Sequence, residues 1–195
     1  GRANAVRLAD GTAIDTDLVI VGVGVRPNTR LAIEAGLEIG ETGGITVDEC
    51  MRTSDPAIYA VGDVAEYHHR IADRSMRVPL AGPANRAGRV AGEHAAVDAS
   101  PPMAPVLGTS IVRVFGTTAG ATGLNAGQLE KFGIDHAAVW VPGFAHAEYY
   151  PDADPMAIKL LFAPDSGKVL GAQAVGGEGV DKRIDVIATA LAFGA

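Results

Sequence analysis

The stretch Ala57-Ile-Tyr-Ala-Val-Gly-Asp63 sets six small or apolar residues before an abrupt carboxylate. It is too short for an ordinary helix, carries Ile58, Tyr59 and Val61, and follows the turn-like Ser54-Asp55-Pro56. The pattern therefore predicts a fully buried, parallel strand. Ligands of open α/β sheets bind at the carboxyl ends of such strands. Gly62 admits a close approach by a ligand or another backbone, and Asp63 can accept hydrogen bonds from hydroxyls. A second reading stays open here, in which Asp63 simply caps a turn.

Upstream, Val6 to Ile14 alternates around Asp10-Gly11, a strong hairpin signal. It leads into Leu18-Val-Ile-Val-Gly-Val-Gly-Val25, which predicts a buried strand. Thr29 is placed to cap a short helix carrying Leu31, Ile33 and Ala35, which Gly36 closes. A turn over Glu41 to Gly44 and a strand Ile45 to Val47 precede the opening stretch. Downstream, Tyr67-His68-His69-Arg70 reads as a polar loop. Pro83 suits the first residue of a helix running to about Val97, with Ala84, Ala87, Gly88, Ala91 and Ala95 on one close-packing face.

Ala99-Ser-Pro-Pro-Met-Ala-Pro105 is the most linker-like segment. After it, Thr109–Val114, Thr117–Ala121, Ala137–Val141, Ala157–Phe162 and Val169–Val175 read as strands. Asn125 with Gln128 forms a capping-box start for one helix, and a second, from about Val180, puts Val180, Ile184, Ile187, Ala188 and Leu191 on one stripe. The fold class is α/β and α+β: a Rossmann-like region followed by a module with a mainly antiparallel sheet.

The 195 residues are 48% hydrophobic, enough for one domain or two small ones. A formal charge of −7, with 16 scattered Lys and Arg, argues against a nucleic-acid footprint or an anionic membrane surface. The longest apolar run is too short to span a bilayer. A single cysteine, Cys50, excludes an intrachain disulfide and fits a reducing, cytoplasmic setting. His68-His69 lacks companions at ligand spacing, so no metal site is expected. Gly1-Arg2 at the start and Phe193-Gly194-Ala195 at the end, just past an apolar helix, lead us to expect a piece of a longer protein.

Gly22-Val-Gly24-Val-Arg-Pro27 resembles a dinucleotide fingerprint but has Pro27 where the third glycine belongs. Gly22 and Gly24 then either let a flat ring lie on the backbone or make a tight exit from a strand. The helix that follows Leu80-Ala81-Gly82 offers free N–H groups and a partial positive charge to an anionic or electron-rich ligand atom.

Together, Thr53 to Asp63 and Pro79-Leu-Ala-Gly-Pro-Ala-Asn-Arg-Ala-Gly88 resemble the second FAD motif of the pyridine nucleotide-disulfide oxidoreductases, in the coenzyme A-disulfide reductase and NADH oxidase/peroxidase branch. The similarity continues through Gly108 to Phe115, Thr122-Gly-Leu124, His146-Ala-Glu-Tyr-Tyr-Pro151, Gly171-Ala-Gln173 and Gly179 to Asp185. It implies that Asp63, beside Gly62, binds the ribityl hydroxyls of FAD, and that Leu80, Ala81 and Gly82 face the flavin pyrimidine edge. It also implies a homodimer in which His146, Tyr149 and Tyr150 reach the partner's active site, where a tyrosine donates a proton to a thiolate leaving group. A phenol titrating near about pH 10 can donate so without ionising. Asn85 and Arg86 are candidate substrate contacts, and Lys182 and Arg183 candidate partners for coenzyme A phosphates; a solvated helix face is the other reading of the last pair.

The resemblance further implies an N-terminal GxGxxG, a redox-active cysteine and a middle GxGxxG for NAD(P)H, none of which this sequence contains. Cys50 precedes the FAD motif and reads as an ordinary thiol. The implied division is 1–28 as the end of an NAD(P)H-binding domain, 29–98 as the second FAD segment, and 103–195 as an incomplete dimerisation domain. The expected activity is NAD(P)H-driven reduction of coenzyme A disulfide. Alternatives are an oxidase or peroxidase using oxygen or peroxide, or, for the chain by itself, an inactive half-FAD and dimerisation scaffold.

Overall fold

The structure is a computed structural model and describes residues 2–97 and 101–194. At Asp10-Gly11 the backbone reverses, with Gly11 at φ +90°, and β1 (Ala5–Arg7) pairs antiparallel with β2 (Ala13–Asp15), Val6 opposite Ile14. The expected strand Leu18–Val25 does not form: residues 18–28 pair with no strand among the described residues, and Ile20 and Val23 are largely exposed. A run of β-branched residues supplies strand propensity, but a strand needs a partner for its N–H and C=O groups.

The helix α1 (Arg30–Glu34) begins after Thr29, whose side chain makes no capping bond, and buries Ala32 while Leu31 and Ile33 point to solvent. Gly36, at φ +76°, ends it: its N–H donates to Ile33 and that of Leu37 to Ala32. A three-stranded sheet follows, in which β3 (Ile45–Thr46) runs parallel to β4 (Ala65–His69), and β4 pairs antiparallel with β5 (Arg74–Arg77). The hairpin β4–β5 replaces the polar loop expected around Tyr67–Arg70.

Ala57–Val61 is a second correction. Instead of a buried parallel strand it is an extended segment held antiparallel to Met51–Thr53, through Thr53 N–H to Ile58 O (2.9 Å) and Ala60 N–H to Met51 O (3.1 Å). Its one partner lies on one edge, so Ala60 is buried while Ile58 and Val61 stay partly exposed. Gly62–Val64 then makes a 3₁₀ turn.

The next helix, α2 (Ala81–Val97), starts two residues before Pro83, which sits in the first turn where an N–H has no helical partner to lose. Its buried stripe is Pro83, Ala87, Ala91 and His94; Gly88 and Ala95 of the expected face are exposed. Ala87 and Ala91 pack with Ala60, Ala65, Tyr67 and Val78 into the core of this half.

The rest of the chain matches the expected α+β module closely. Five strands, β6 (Ser110–Val114), β7 (Thr117–Gly123), β8 (Ala137–Phe144), β9 (Pro155–Phe162) and β10 (Val169–Gly176), form one wholly antiparallel sheet in the order β6-β7-β10-β9-β8. Between β7 and β8, α3 (Ala126–Lys131) opens with both bonds of the Asn125–Gln128 capping box in place. The final helix, α4 (Val180–Phe193), lies on β7 and β10, packing Val180 and Ile184 against Ala172 and Ala174 and burying Leu191 as well. Gly120 makes room: a Cβ there would come within 2.8 Å of Ile184.

The two halves meet along the backbone of Val106, which donates to His68 O and accepts from Arg70 N–H, both at 2.9 Å. The expected linker 99–105 lies partly outside the described residues. No helix among them is long and apolar enough to cross a membrane.

Candidate functional site

Tyr59 fixes the segment that precedes the turn. Its hydroxyl lies 2.9 Å from His94 Nδ1 in the last turn of α2, with the two rings 5.9 Å apart. Three residues further on, the 3₁₀ turn also lies against α2. The chain from Tyr59 to Val64 is therefore laid along the helix, and the carboxylate-bearing turn and α2 belong to one surface.

At that turn Gly62 has φ +84°. Its N–H donates to the hydroxyl of Tyr67, which in turn donates to Gly62 O at 3.0 Å. Burial pushes the Tyr67 phenol up, the Gly62 N–H works against that, and the Asp63 carboxylate adds to the rise. The Asp63 side chain is exposed and accepts no hydrogen bond from any described residue. Ala81 and Gly82 are exposed at the start of α2, and no described residue accepts from their N–H groups. Nothing lies within 4 Å of where a Cβ would stand on Gly62 or Gly82. Leu80 is half-buried in the core below. Asn85 and Arg86 are exposed on the same helix, and Arg86 forms no ion pair with another described residue.

Gly22 and Gly24 are not gathered into this surface. They lie in the exposed 18–28 segment, with open space around both and Gly24 at φ +75°.

A second group forms where the β8–β9 loop meets the start of α4. Tyr149 and Tyr150 are 87% and 65% exposed. Their rings stand edge-on at 6.2 Å, and Tyr150 meets His146 likewise at 6.0 Å. Arg183 Nη2 donates to Ala145 O (2.8 Å), and Asp154 Oδ2 accepts from Glu178 N–H (3.0 Å), so both ends of this loop are tied to the segment that enters α4. His146 and Lys182 share a cleft of about 460 Å³ with Arg113, Asp152, Glu178 and Asp181. Arg183, expected as a phosphate partner, spends at least one donor on the loop backbone.

Sequence reasoning missed two buried polar residues. Glu66 accepts through Oε1 from the N–H of Thr42 (2.8 Å), the Thr42 hydroxyl and Gly44 N–H (3.1 Å). His69 Nδ1 accepts from Ile71 and Ala72 N–H, both at 3.3 Å, and burial brings its pKa down to about 4, against a hydrogen bond to Leu107 and with help from His68. Alternation along Ala65–His69 signals His69, which shares a face with Ala65 and Tyr67, but not Glu66, which shares one with exposed His68. No group of three or more His, Cys, Asp or Glu suited to a metal occurs among the described residues.

The arrangement is thus a carboxylate-bearing turn packed against a long helix, joined to an antiparallel sheet backed by a second helix. Residues 1–88 match the family model described as pyridine nucleotide-disulphide oxidoreductase, and residues 109–195 match its dimerisation domain. The chain belongs to the pyridine nucleotide-disulphide oxidoreductase family.

It is 35% identical over 188 residues to a coenzyme A disulfide reductase of Staphylococcus aureus, covering 96% of this chain and 42% of that protein. Among solved structures it resembles a NAD-dependent persulfide reductase from A. fulgidus (TM-score 0.89, 40% identity, 97% of this chain and 35% of that one). It likewise resembles the reduced Bacillus anthracis CoADR-RHD (TM-score 0.86, 45% identity, 98% and 34%). A water-forming NADH oxidase from Lactobacillus brevis superposes with TM-score 0.86 at 26% identity, over 97% and 43%. The chain thus spans less than half the length of these relatives.

Proposed function

We propose that the polypeptide carrying this chain is an FAD-dependent NAD(P)H oxidoreductase that reduces a small disulfide, with coenzyme A disulfide as the substrate most in keeping with its relatives. The division 1–28, 29–98 and 103–195, homodimerisation through the last part, and a cytoplasmic setting belong to the same reading. The observation that carries it is the contact between α2, whose amino end is open, and the 3₁₀ turn bearing Asp63, an exposed carboxylate that accepts no hydrogen bond from any described residue.

The residues present fit FAD. Asp63 offers acceptors to ribityl hydroxyls, while the Ala81 and Gly82 amides offer donors and the positive end of a 17-residue helix to an electron-rich ring edge. Gly62 and Gly82 leave free the space that side chains would fill. Bound FAD supplies the two-electron chemistry that connects a nicotinamide to a disulfide. Asn85 and Arg86, exposed on the same helix, orient the substrate. Tyr149 or Tyr150 gives a proton to a departing thiolate sulfur in the partner subunit, with His146 packed beside Tyr150. Lys182, in the cleft with His146, supplies positive charge to a phosphate.

The resemblance to an NADH oxidase keeps oxygen in view as a rival acceptor. Consumption of NADH and NADPH by the full-length polypeptide, with coenzyme A disulfide, oxygen and peroxide in turn, separates them. The reading expects the disulfide to be preferred, and Tyr149→Phe or Tyr150→Phe to lower kcat with it by about a hundredfold, within the range of general acid catalysis, while oxygen turnover changes little. Equal losses with both acceptors would remove the tyrosines from the proton-donor role.

A further inference from the structure

Gly62 joins the extended Ala57–Val61 segment to the Asp63 carboxylate, and it is the most pliable link in that path. It stands at φ +84°, and no atom would touch a Cβ there. Packing therefore does little to fix which way the chain leaves it. Both polar groups of this residue nevertheless end on a single phenol, since Tyr67 accepts from its N–H and donates to its carbonyl.

That phenol is well anchored. Tyr67 is 2% exposed and packs with Ala60, Ala65 and Ala87; it sits in β4, which is paired with β3 on one edge and β5 on the other. Burial and the Asp63 charge both keep it protonated, so the donated bond persists across neutral pH.

We propose that Tyr67 is a positioning residue for the cofactor site: its hydroxyl clamps both polar groups of Gly62 and so holds the Asp63 carboxylate ready for ligand hydroxyls. A site held ready loses less freedom on binding, so the clamp acts on affinity through preorganisation. The proposal rests on the reading of Asp63 as an acceptor for the ribityl chain.

The test uses the full-length flavoprotein, stripped of flavin and titrated with FAD, as wild type, Tyr67→Phe, Asp63→Asn and the double variant. Tyr67→Phe is expected to weaken FAD about tenfold, or about 1.4 kcal/mol, but less than about threefold in the Asp63→Asn background, since coupled positions are not additive. A Tyr67→Phe affinity within about twofold of wild type, or an equal loss in both backgrounds, overturns the clamp while leaving the Asp63 reading intact. Unchanged affinity in Asp63→Asn overturns that reading and the clamp with it. Amide hydrogen exchange in the wild type needs no variant to fold: Gly62 should exchange more slowly than Asp63, and equal rates overturn the proposal.

Discussion

Glu66 is 2% exposed, and its carboxylate gathers three donors from the Thr42–Gly44 turn, while Arg77 Nε reaches Thr42 O at 2.9 Å from the neighbouring strand. Removing the acceptor leaves those donors unmet next to the core. Glu66→Ala should lower the free energy of unfolding by about 2–3 kcal/mol, on the scale of hydrogen bonds to charged groups, as read by urea denaturation. His69 carries a pH signature of definite sign. Its folded pKa of about 4 lies below the 6.5 of an exposed histidine, so the unfolded chain takes up the proton first. Its contribution is complete above pH 6.5 and is lost as pH falls toward 4, with a slope of up to about 1.4 kcal/mol per pH unit. Carboxylates titrate in the same range, so the measurement is the difference between wild type and His69→Gln. The wild type should lose more stability between pH 6.5 and 4, and parallel curves would contradict the assignment.

Among elements, α3 tests its own capping box. Asn125→Ala removes the acceptor for Gln128 N–H (2.9 Å) and should cost about 1 kcal/mol by denaturant midpoint, with the slope unchanged. Gly123 holds a tighter place: at φ +68° its Cβ would run into Leu170 O across the β7–β10 pair. Gly123→Ala should cost more than about 2 kcal/mol, from backbone strain together with overpacking. The C-terminal module was legible because its strands and helices find their partners within the chain, so alternation and the Val180–Leu191 stripe translate directly into buried faces. The first half was harder to read. Leu18–Val25 and Ala57–Val61 have strand-like composition, but pairing decides a strand, and the described residues give the former no partner and the latter one edge. In β4 both faces carry a buried polar residue, Glu66 on one and His69 on the other, which look like a loop until Thr42, Gly44 and the Ile71–Ala72 amides are seen to satisfy them. The proposed site divides similarly. Asp63, Ala81 and Gly82 are proposed from motif and helix start, whereas the sequence offers no signal for Tyr67, whose bonds to Gly62 are contacts that folding creates.

For the whole molecule, the proposed homodimer with catalytic tyrosines that cross between subunits predicts complementation. Asp63→Asn and Tyr149→Phe/Tyr150→Phe chains damage different contributions to one composite site. With random exchange, half the dimers are mixed and each holds one intact site, so two poorly active preparations should recover roughly a quarter of wild-type disulfide reduction. No recovery despite demonstrated exchange would place the tyrosines in their own subunit's site. The account rests most heavily on the proposed flavin site, to which the Gly62–Asp63 turn and the first turn of α2 are each assigned. Its most direct test is the equilibrium affinity of the full-length polypeptide for FAD with Asp63 intact and as Asp63→Asn. The account predicts a loss of at least about tenfold, the scale of a buried hydrogen bond to a charged group, with the melting temperature of the flavin-free protein unchanged. An Asp63→Asn protein that binds FAD as tightly as wild type would contradict it.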